Sequence, residues 1–322
     1  MKTLITGGAG FIGSHLSDRL LSSEQQVVIL DDLSAGNKEN LAPLKENKNI
    51  SIAEGSILDQ ELVTKLMKDV THCYHLAASL GVEKINNDPI GSLETNLKGS
   101  EIVLNAAANT GVRTLLASSS EVYGKNPLMP LSEDSDRVLG APEVARWSYS
   151  EAKAMDELHA FQLHKNKSFP VTIARFFNTV GPRQSGSYGM VLPRFVKAAL
   201  TNQPLIVYGD GTQSRTFCSV IDVVEALILL MDNPKSIGHA FNIGSTDEIT
   251  ISELAKKVIE LTNSSSKINY KKHSEVFGDN FEEPKRRVPD ISKIKDFVGW
   301  QPKKSLDEVI LEIADDIRAN DI

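Results

Sequence analysis

Residues 3–16 read TLITGGAGFIGSHL. A short apolar, β-rich run enters a glycine cluster, and helical periodicity begins directly after it. Gly8, Gly10 and Gly13 stand in G-x-G-x-x-G spacing, and Gly7, Gly10 and Gly13 in G-x-x-G-x-x-G spacing. One glycine makes the tight turn, the next lets backbone approach a pyrophosphate, and the third lets the helix pack on the strand. The start of that helix, from Phe11 and Ile12, offers unpaired N–H groups and a positive dipole end to phosphate. The next apolar run, VVILDD (27–32), ends in acid, with Asp31 placed 18 residues after Gly13. Strand, glycine turn, helix and distal acid together form a dinucleotide fingerprint. A carboxylate at Asp31 would accept hydrogen bonds from a ribose diol and repel a 2′-phosphate, which favours NAD over NADP. Asp32 beside it reads as site or as solvated turn.

Outward from this stretch, apolar runs and helical patterns alternate. SIAEG (51–55), HCYHLAA (72–78), RTLLASSS (113–120) and VTIARFFN (171–178) read as strands, separated by helices at about 59–68, 92–109 and 147–164. Strand–helix repetition with short links predicts a parallel sheet covered on both faces. After Asn178 the texture changes to Gly, Pro and Arg in GPRQSGSYGM, then to mixed elements with helices at about 191–201, 222–232 and 250–263. The expected fold is α/β: a Rossmann-type doubly wound parallel sheet with a smaller mixed α/β substrate-binding lobe. Residues 1–178 form the expected NAD-binding domain, with a later return of the chain around 215–245, and residues 179–322 the lobe.

A chain of 322 residues has room for a sizeable core. Its net charge of -7 and lack of a basic stripe argue against nucleic acid as the main partner. Cys73 and Cys218, far apart, make neither a disulfide framework nor a metal site, and read as buried thiols. There is no targeting arm, and the longest apolar stretch, VVEALILLM (223–231), is too short to span a bilayer. A cytoplasmic location without membrane association is the expectation.

The stretch RWSYSEAKAM (146–155) sets Tyr149 one helical turn before Lys153, on one face. A free phenol has a pKa near ~10 and a free ammonium near ~10.4, so neither is a useful base alone at neutral pH. Together, the ammonium can hold the phenol closer to ionisation, ready to take a proton from an alcohol. Upstream, ASSSEVYG (117–124) puts three hydroxyls and Glu121 at the C-terminal end of a strand, where ligands bind in open α/β sheets.

The chain resembles the extended short-chain dehydrogenase/reductases, in the nucleotide-sugar epimerase/dehydratase branch. The matching motifs run in family order through GGAGFIG (7–13), LDDLSAG (30–36), HLAA (75–78), SSSEVYG (118–124), YSEAK (149–153), RFFNTVGP (175–182), YGDGTQSRTF (208–217) and RRVPDISK (286–293). The resemblance implies that Tyr149 removes the proton of a sugar 4-hydroxyl while NAD takes hydride from C4. Lys153 would lower the phenol's pKa and bind the nicotinamide ribose, and Ser119 would share the hydroxyl's hydrogen bond. It further implies dinucleotide contacts from Ser34, Gly36, Leu76, Ala77, Ala78 and Phe176, adenine contact from Ser56 and Ile57, and support from Asn96. Ser120, Asn178, Val191 and Tyr208 match positions near the sugar nucleotide, with Tyr208 at the uracil. Arg215 and Arg287 match diphosphate arginines, suited by their bidentate fork, and Asp290 a ribose-contacting acid.

Ser120 stands where true 4,6-dehydratases often carry the first of an acid pair, so that proton donor is missing. The expectation is a UDP-sugar 4-epimerase, for UDP-glucose/galactose or UDP-glucuronate/galacturonate, working through a transient 4-keto sugar. Arg183 is a candidate clamp for a substrate carboxylate, or otherwise a surface or diphosphate arginine. The alternative is a UDP-glucuronate decarboxylase giving UDP-xylose, with Glu121 as the pointer. A non-catalytic NAD-sensing regulator is a third possibility, against which the intact Ser119, Tyr149 and Lys153 speak. The resemblance also implies a homodimer, with Leu93, Leu97, Leu104, Met155, Leu158 and Phe161 as candidate faces.

Overall fold

The computed structural model describes residues 1–79, 88–186, 190–272, 275, 282 and 284–320. Seven parallel strands build the main sheet: β1 (Lys2–Thr6), β2 (Gln26–Asp31), β3 (Ile50–Glu54), β4 (His72–His75), β5 (Arg113–Ser119), β6 (Val171–Phe176) and β7 (Ala240–Ile243). Their spatial order is β7-β6-β5-β4-β1-β2-β3. Adjacent residues along a strand face opposite sides. Leu4 therefore packs in one core and Ile5 in the other, and Leu116 and Leu115 divide the same way. With both faces covered the strands read as continuous apolar runs. Each such side chain withdrawn from water contributes roughly 1.5–3 kcal/mol.

One face is covered by α1 (Phe11–Ser22), through Leu16 and Leu20, and by the late helix Val220–Asp232. The other carries α2 (Gln60–Met67), α3 (Ser100–Thr110) and α4 (Ser148–Lys167). A separate core holds the lobe together, where α5 (Val191–Leu200), the helix Ile251–Leu261 and the helix Leu306–Asn320 meet through Phe195, Leu254 and Ile310. The chain returns to the sheet late, as β7 pairs with β6. Strand order reverses between β1 and β4, and this switch point opens a crevice at the strands' C-terminal ends.

The helix expected at 92–109 is present within a continuous helical run over 89–110, but its α-pattern is interrupted. The helix Pro89–Glu94 passes through a π-helical turn, Thr95–Gly99, before α3 begins. The wide turn places Asn96 in the interior, where its side chain accepts from Ser79 N and donates to Ser79 O, both at 2.8 Å. Such turns recur at functional sites. Leu104 is fully buried under α3 rather than free for a partner helix, whereas Leu97, Met155 and Leu158 stay exposed. Cys73 and Cys218 are buried free thiols, and burial pushes Cys73 up to about 12. Among the described residues no helix is long and apolar enough to cross a membrane.

Candidate active site

The glycine turn is tied together by backbone. Gly10 N donates to Gly7 O at 3.1 Å, and Gly10 caps α1 without a side-chain bond, so the helix's first amides keep no intrahelical partner. Gly7 adopts φ +74°, which favours glycine, with Ala77 N 2.8 Å from where a Cβ would lie. Asp31 Oδ2 accepts from Ala9 N and Oδ1 from Leu33 N, each at 2.9 Å. The carboxylate thus fixes the loop and keeps further lone pairs for a ribose.

These groups line a cleft of about 1160 Å³. Gly7, Gly10, Phe11, Ile12 and Gly13 form its floor. Asp31, Asp32, Ser34, Gly36 and Ile57 lie along one end, and Leu76, Ala77, Ala78, Tyr149, Lys153 and Phe176 at the other. A glycine cradle at a helix N-terminus with an acid at the second strand fits NAD. A Cβ on Gly13 would fall 2.2 Å from Gly7 O and 2.8 Å from Gly8 Cα. Gly13→Ala should therefore force α1 off the turn, costing about 1–3 kcal/mol by overpacking and weakening NAD binding. Calorimetric NAD titration beside a thermal melt checks this, and unchanged affinity would count against the cradle.

Tyr149 lies in the first turn of α4, and Lys153, 2% exposed, follows one turn on. Burial raises the Tyr149 pKa above its ordinary value, against the lowering effect of Lys153 and with Glu121 and Asp156 raising it further. The sequence expectation was a net lowering; from the chain's own groups, desolvation outweighs the ammonium. Burial also works against the Lys153 charge, but Asp156 and Tyr149 outweigh it and leave the ammonium pKa raised.

Ser119 ends β5 and its hydroxyl accepts from Glu121 N at 3.2 Å, while the cleft lining includes its neighbour Ser118 rather than Ser119 itself. Ser120 is buried at the start of the short 3-10 turn Ser120–Tyr123. Glu121 sits between two arginines. Arg146 holds both of its oxygens at 2.9 Å, and Arg287 Nη1 meets Oε1 at 2.7 Å. Burial alone would raise this carboxyl's pKa, yet Arg146 and Arg287 hold it far below the usual carboxylate range. Glu121 is thus the shared counter-ion of two guanidinium groups, and it lies near enough to Tyr149 to raise the phenol's pKa.

Other expected site residues go elsewhere. Ser56 does not line the cleft; its hydroxyl accepts from Leu58 N at 3.2 Å. Arg183 lines the cleft, but its guanidinium pairs with Asp18 at 2.7 Å and its N–H donates to Asp316, tying α1 to the last helix rather than joining Glu121. Asp290 borders a separate groove of about 370 Å³ and its Oδ1 accepts from Ser292 N. Arg215 donates to the Ser214 and Lys285 carbonyls. Asn178 donates to Thr216 O at 2.8 Å, Val191 opens α5, and Tyr208 lies under the Arg194 guanidinium at 4.9 Å.

Sequence reading missed Arg146, although it stands three residues before Tyr149. It also missed a buried support behind β5 and β6. Arg175 grips Glu157 bidentately at 2.9 and 2.6 Å and donates to Tyr123 Oη at 2.9 Å, while Ser118 donates to Glu157 at 2.5 Å. Glu157 and Asp156 share the helix face of Tyr149 and Lys153, a spacing that could have drawn attention to them.

Residues 4–313 match the family model described as GDP-mannose 4,6 dehydratase. The chain belongs to this family. It is an NAD-dependent nucleotide-sugar enzyme of the extended short-chain dehydrogenase/reductase type. It is 42% identical over 312 residues to the UDP-N-acetyl-alpha-D-glucosaminuronate decarboxylase of Bacillus cytotoxicus, covering 97% of this chain and 96% of that one. With UDP-glucuronic acid decarboxylase 1 of Arabidopsis thaliana it shares 36% over 318 residues, 99% of this chain and 70% of that one. The crystal structure of UDP-glucuronic acid 4-epimerase from Bacillus cereus, in complex with UDP-glucuronic acid and NAD, superposes with a TM-score of 0.89 at 29% identity over 99% of both chains. The expectation of a 4-epimerase is thereby corrected: the relatives at 36% and 42% are decarboxylases, and the epimerase structure stands further off in sequence.

Proposed function

We propose that this protein is an NAD-dependent UDP-hexuronate decarboxylase, with NAD held in the glycine cradle and the UDP-sugar between the sheet and the lobe. One observation carries the reading: Glu121 is locked as an anion by Arg146 and Arg287 near Tyr149. A locked anion is no proton donor, which suits no dehydration, while guanidinium groups at this place suit recognition of a substrate carboxylate. NAD supplies hydride acceptance at C4 and its later return. Tyr149 takes the 4-hydroxyl proton, and Ser119 shares that hydrogen bond. The 4-keto hexuronate is a β-keto acid, so the C5–C6 bond breaks with its electron pair moving towards the 4-oxygen, and carbon dioxide leaves. Tyr149 and Ser119 then hold the enolate oxygen while C5 takes a proton from water to give the 4-keto pentose, and Tyr149 returns its own proton to O4 when C4 is reduced.

The test is incubation of the purified protein with NAD and either UDP-N-acetylglucosaminuronate or UDP-glucuronate. The expected result is carbon dioxide and the matching UDP-pentose by NMR. A product that keeps its carboxylate with C4 inverted, or no change in either sugar, would overturn the reading.

The same reading includes a homodimer. Ile90, Leu97, Met155 and Leu158 are 78%, 38%, 54% and 49% exposed on neighbouring helical segments and α4, and a second copy would cover them. Light scattering should give twice the 35.2 kDa chain mass. Leu158→Asp should halve it, and a monomeric native protein would refute the dimer.

A further inference from the structure

Asp156 is 3% exposed and lies against the ammonium of Lys153, yet the chemistry above gives it no task. Its Oδ2 accepts from Lys153 Nζ at 3.2 Å and from Ser100 Oγ at 3.0 Å. Both donors favour the carboxylate form of Asp156, against burial, which works the other way and leaves its pKa raised. The donors continue as an ordered chain. Ser100 spends its hydrogen on Asp156, so His75 Nε2, 3.1 Å away, must donate to Ser100. His75 Nδ1 is then the acceptor from Thr6 Oγ1 at 2.7 Å, and Thr6 accepts from Ala77 N at 3.3 Å. Burial and the Lys153 charge push His75 down to about 3, which agrees with this neutral tautomer. A line of aligned donors thus runs from the cleft wall at Ala77, through β4 and α3, and ends on Asp156.

We propose that Asp156 is a positioning residue that sets the base strength of Tyr149 by neutralising Lys153. With the carboxylate in place, the phenol faces an ammonium–carboxylate pair of little net charge. Without it, the phenol faces a bare buried ammonium whose best remaining counter-ion is the phenolate itself. Other charged groups around the pair are already engaged: Glu121 from the turn after β5 with Arg146 and Arg287, and Glu157 with Arg175 of β6. His159 on α4 and neutral His75 on β4 complete the surroundings. Asp156 thereby keeps the Tyr149 phenolate a strong base towards the sugar hydroxyl. The inference rests on Tyr149 being the base of the proposed decarboxylation, but its test needs no substrate.

The phenolate absorbance of the NAD-loaded protein is titrated with pH, and the same curve from its Tyr149→Phe counterpart is subtracted. Asp156→Asn should lower the Tyr149 midpoint by about one pH unit, and Asp156→Glu should restore it. Ser100→Ala breaks the donor chain but keeps the charge, so its shift should be much smaller. An unmoved or raised midpoint in Asp156→Asn overturns the proposal, as does a shift in Ser100→Ala equal to that of Asp156→Asn. Should Asp156→Asn fail to fold, Asp156→Ser makes the same charge change in a smaller side chain and is judged by the same midpoints. The acid limb of the wild-type and variant rate profiles on the UDP-hexuronate should move the same way. A wild type inactive on both uronates would overturn the proposed reaction, while the spectroscopic midpoints would still decide the role of Asp156.

Discussion

Tyr149→Phe should lower turnover of the UDP-hexuronate by about 10³-fold, the usual range for losing a general base. The substitution removes one oxygen and keeps the ring, so the fold should stay intact. The phenol lines the cleft together with Lys153, one helical turn away, and the proposed reaction gives it the sugar hydroxyl's proton. Neither Lys153 nor Ser119 replaces it: Lys153 is engaged with Asp156, and a serine hydroxyl is a far weaker base at neutral pH. NAD should still bind, because the glycine turn and Asp31 are held by their own hydrogen bonds, none of which involves the phenol. Single-turnover rates with NAD affinity measured in parallel decide the matter. A residual rate within tenfold of wild type would remove Tyr149 from the chemistry.

Glu121→Ala should cost about 3–5 kcal/mol of stability, the range for breaking a buried ion pair by removing one partner. Here two guanidinium groups lose the same anion. Arg287 is buried and the Arg146 side chain is 12% exposed, so water can replace only part of that contact. The cost depends on pH in a fixed sense. The folded-state pKa of Glu121 is depressed, so its stabilisation is fully present above the unfolded value near ~4.3 and fades as the pH falls below it. The gap between wild type and variant in thermal melts should thus be widest near neutrality and shrink in acid. Equal melting temperatures at neutral pH would show that the triad stabilises nothing. If the proposed decarboxylation holds, turnover should fall as well, because Glu121 no longer fixes Arg146 and Arg287.

The Rossmann core was largely legible because its causes are local. Each strand is an apolar run of a few residues, each helix repeats on its own period, and the glycine turn must hold its residues at fixed spacing to let α1 start where phosphate would lie. The interruption at Thr95–Gly99 was not legible, since the reason for it, the buried clamp of Asn96 on Ser79, joins residues 17 apart in sequence. The Arg146–Glu121–Arg287 triad is harder still. Its members come from the turn after β5, the approach to α4 and the segment crossing back from the lobe, and no periodicity connects them.

By itself, then, the sequence determined the parallel sheet, the dinucleotide cradle and the Tyr149–Lys153 pair, all written within one helical turn or one strand–turn–helix unit. Only the tertiary structure decided that Arg183 is neutralised by Asp18, that Glu121 is fixed as an anion and that Lys153 carries a buried counter-ion. The physical reason is the same for all three. The charge state of a buried group depends on which distant side chains the fold brings within about 3–4 Å and on how much water it excludes, and neither quantity is contained in the local order of residues.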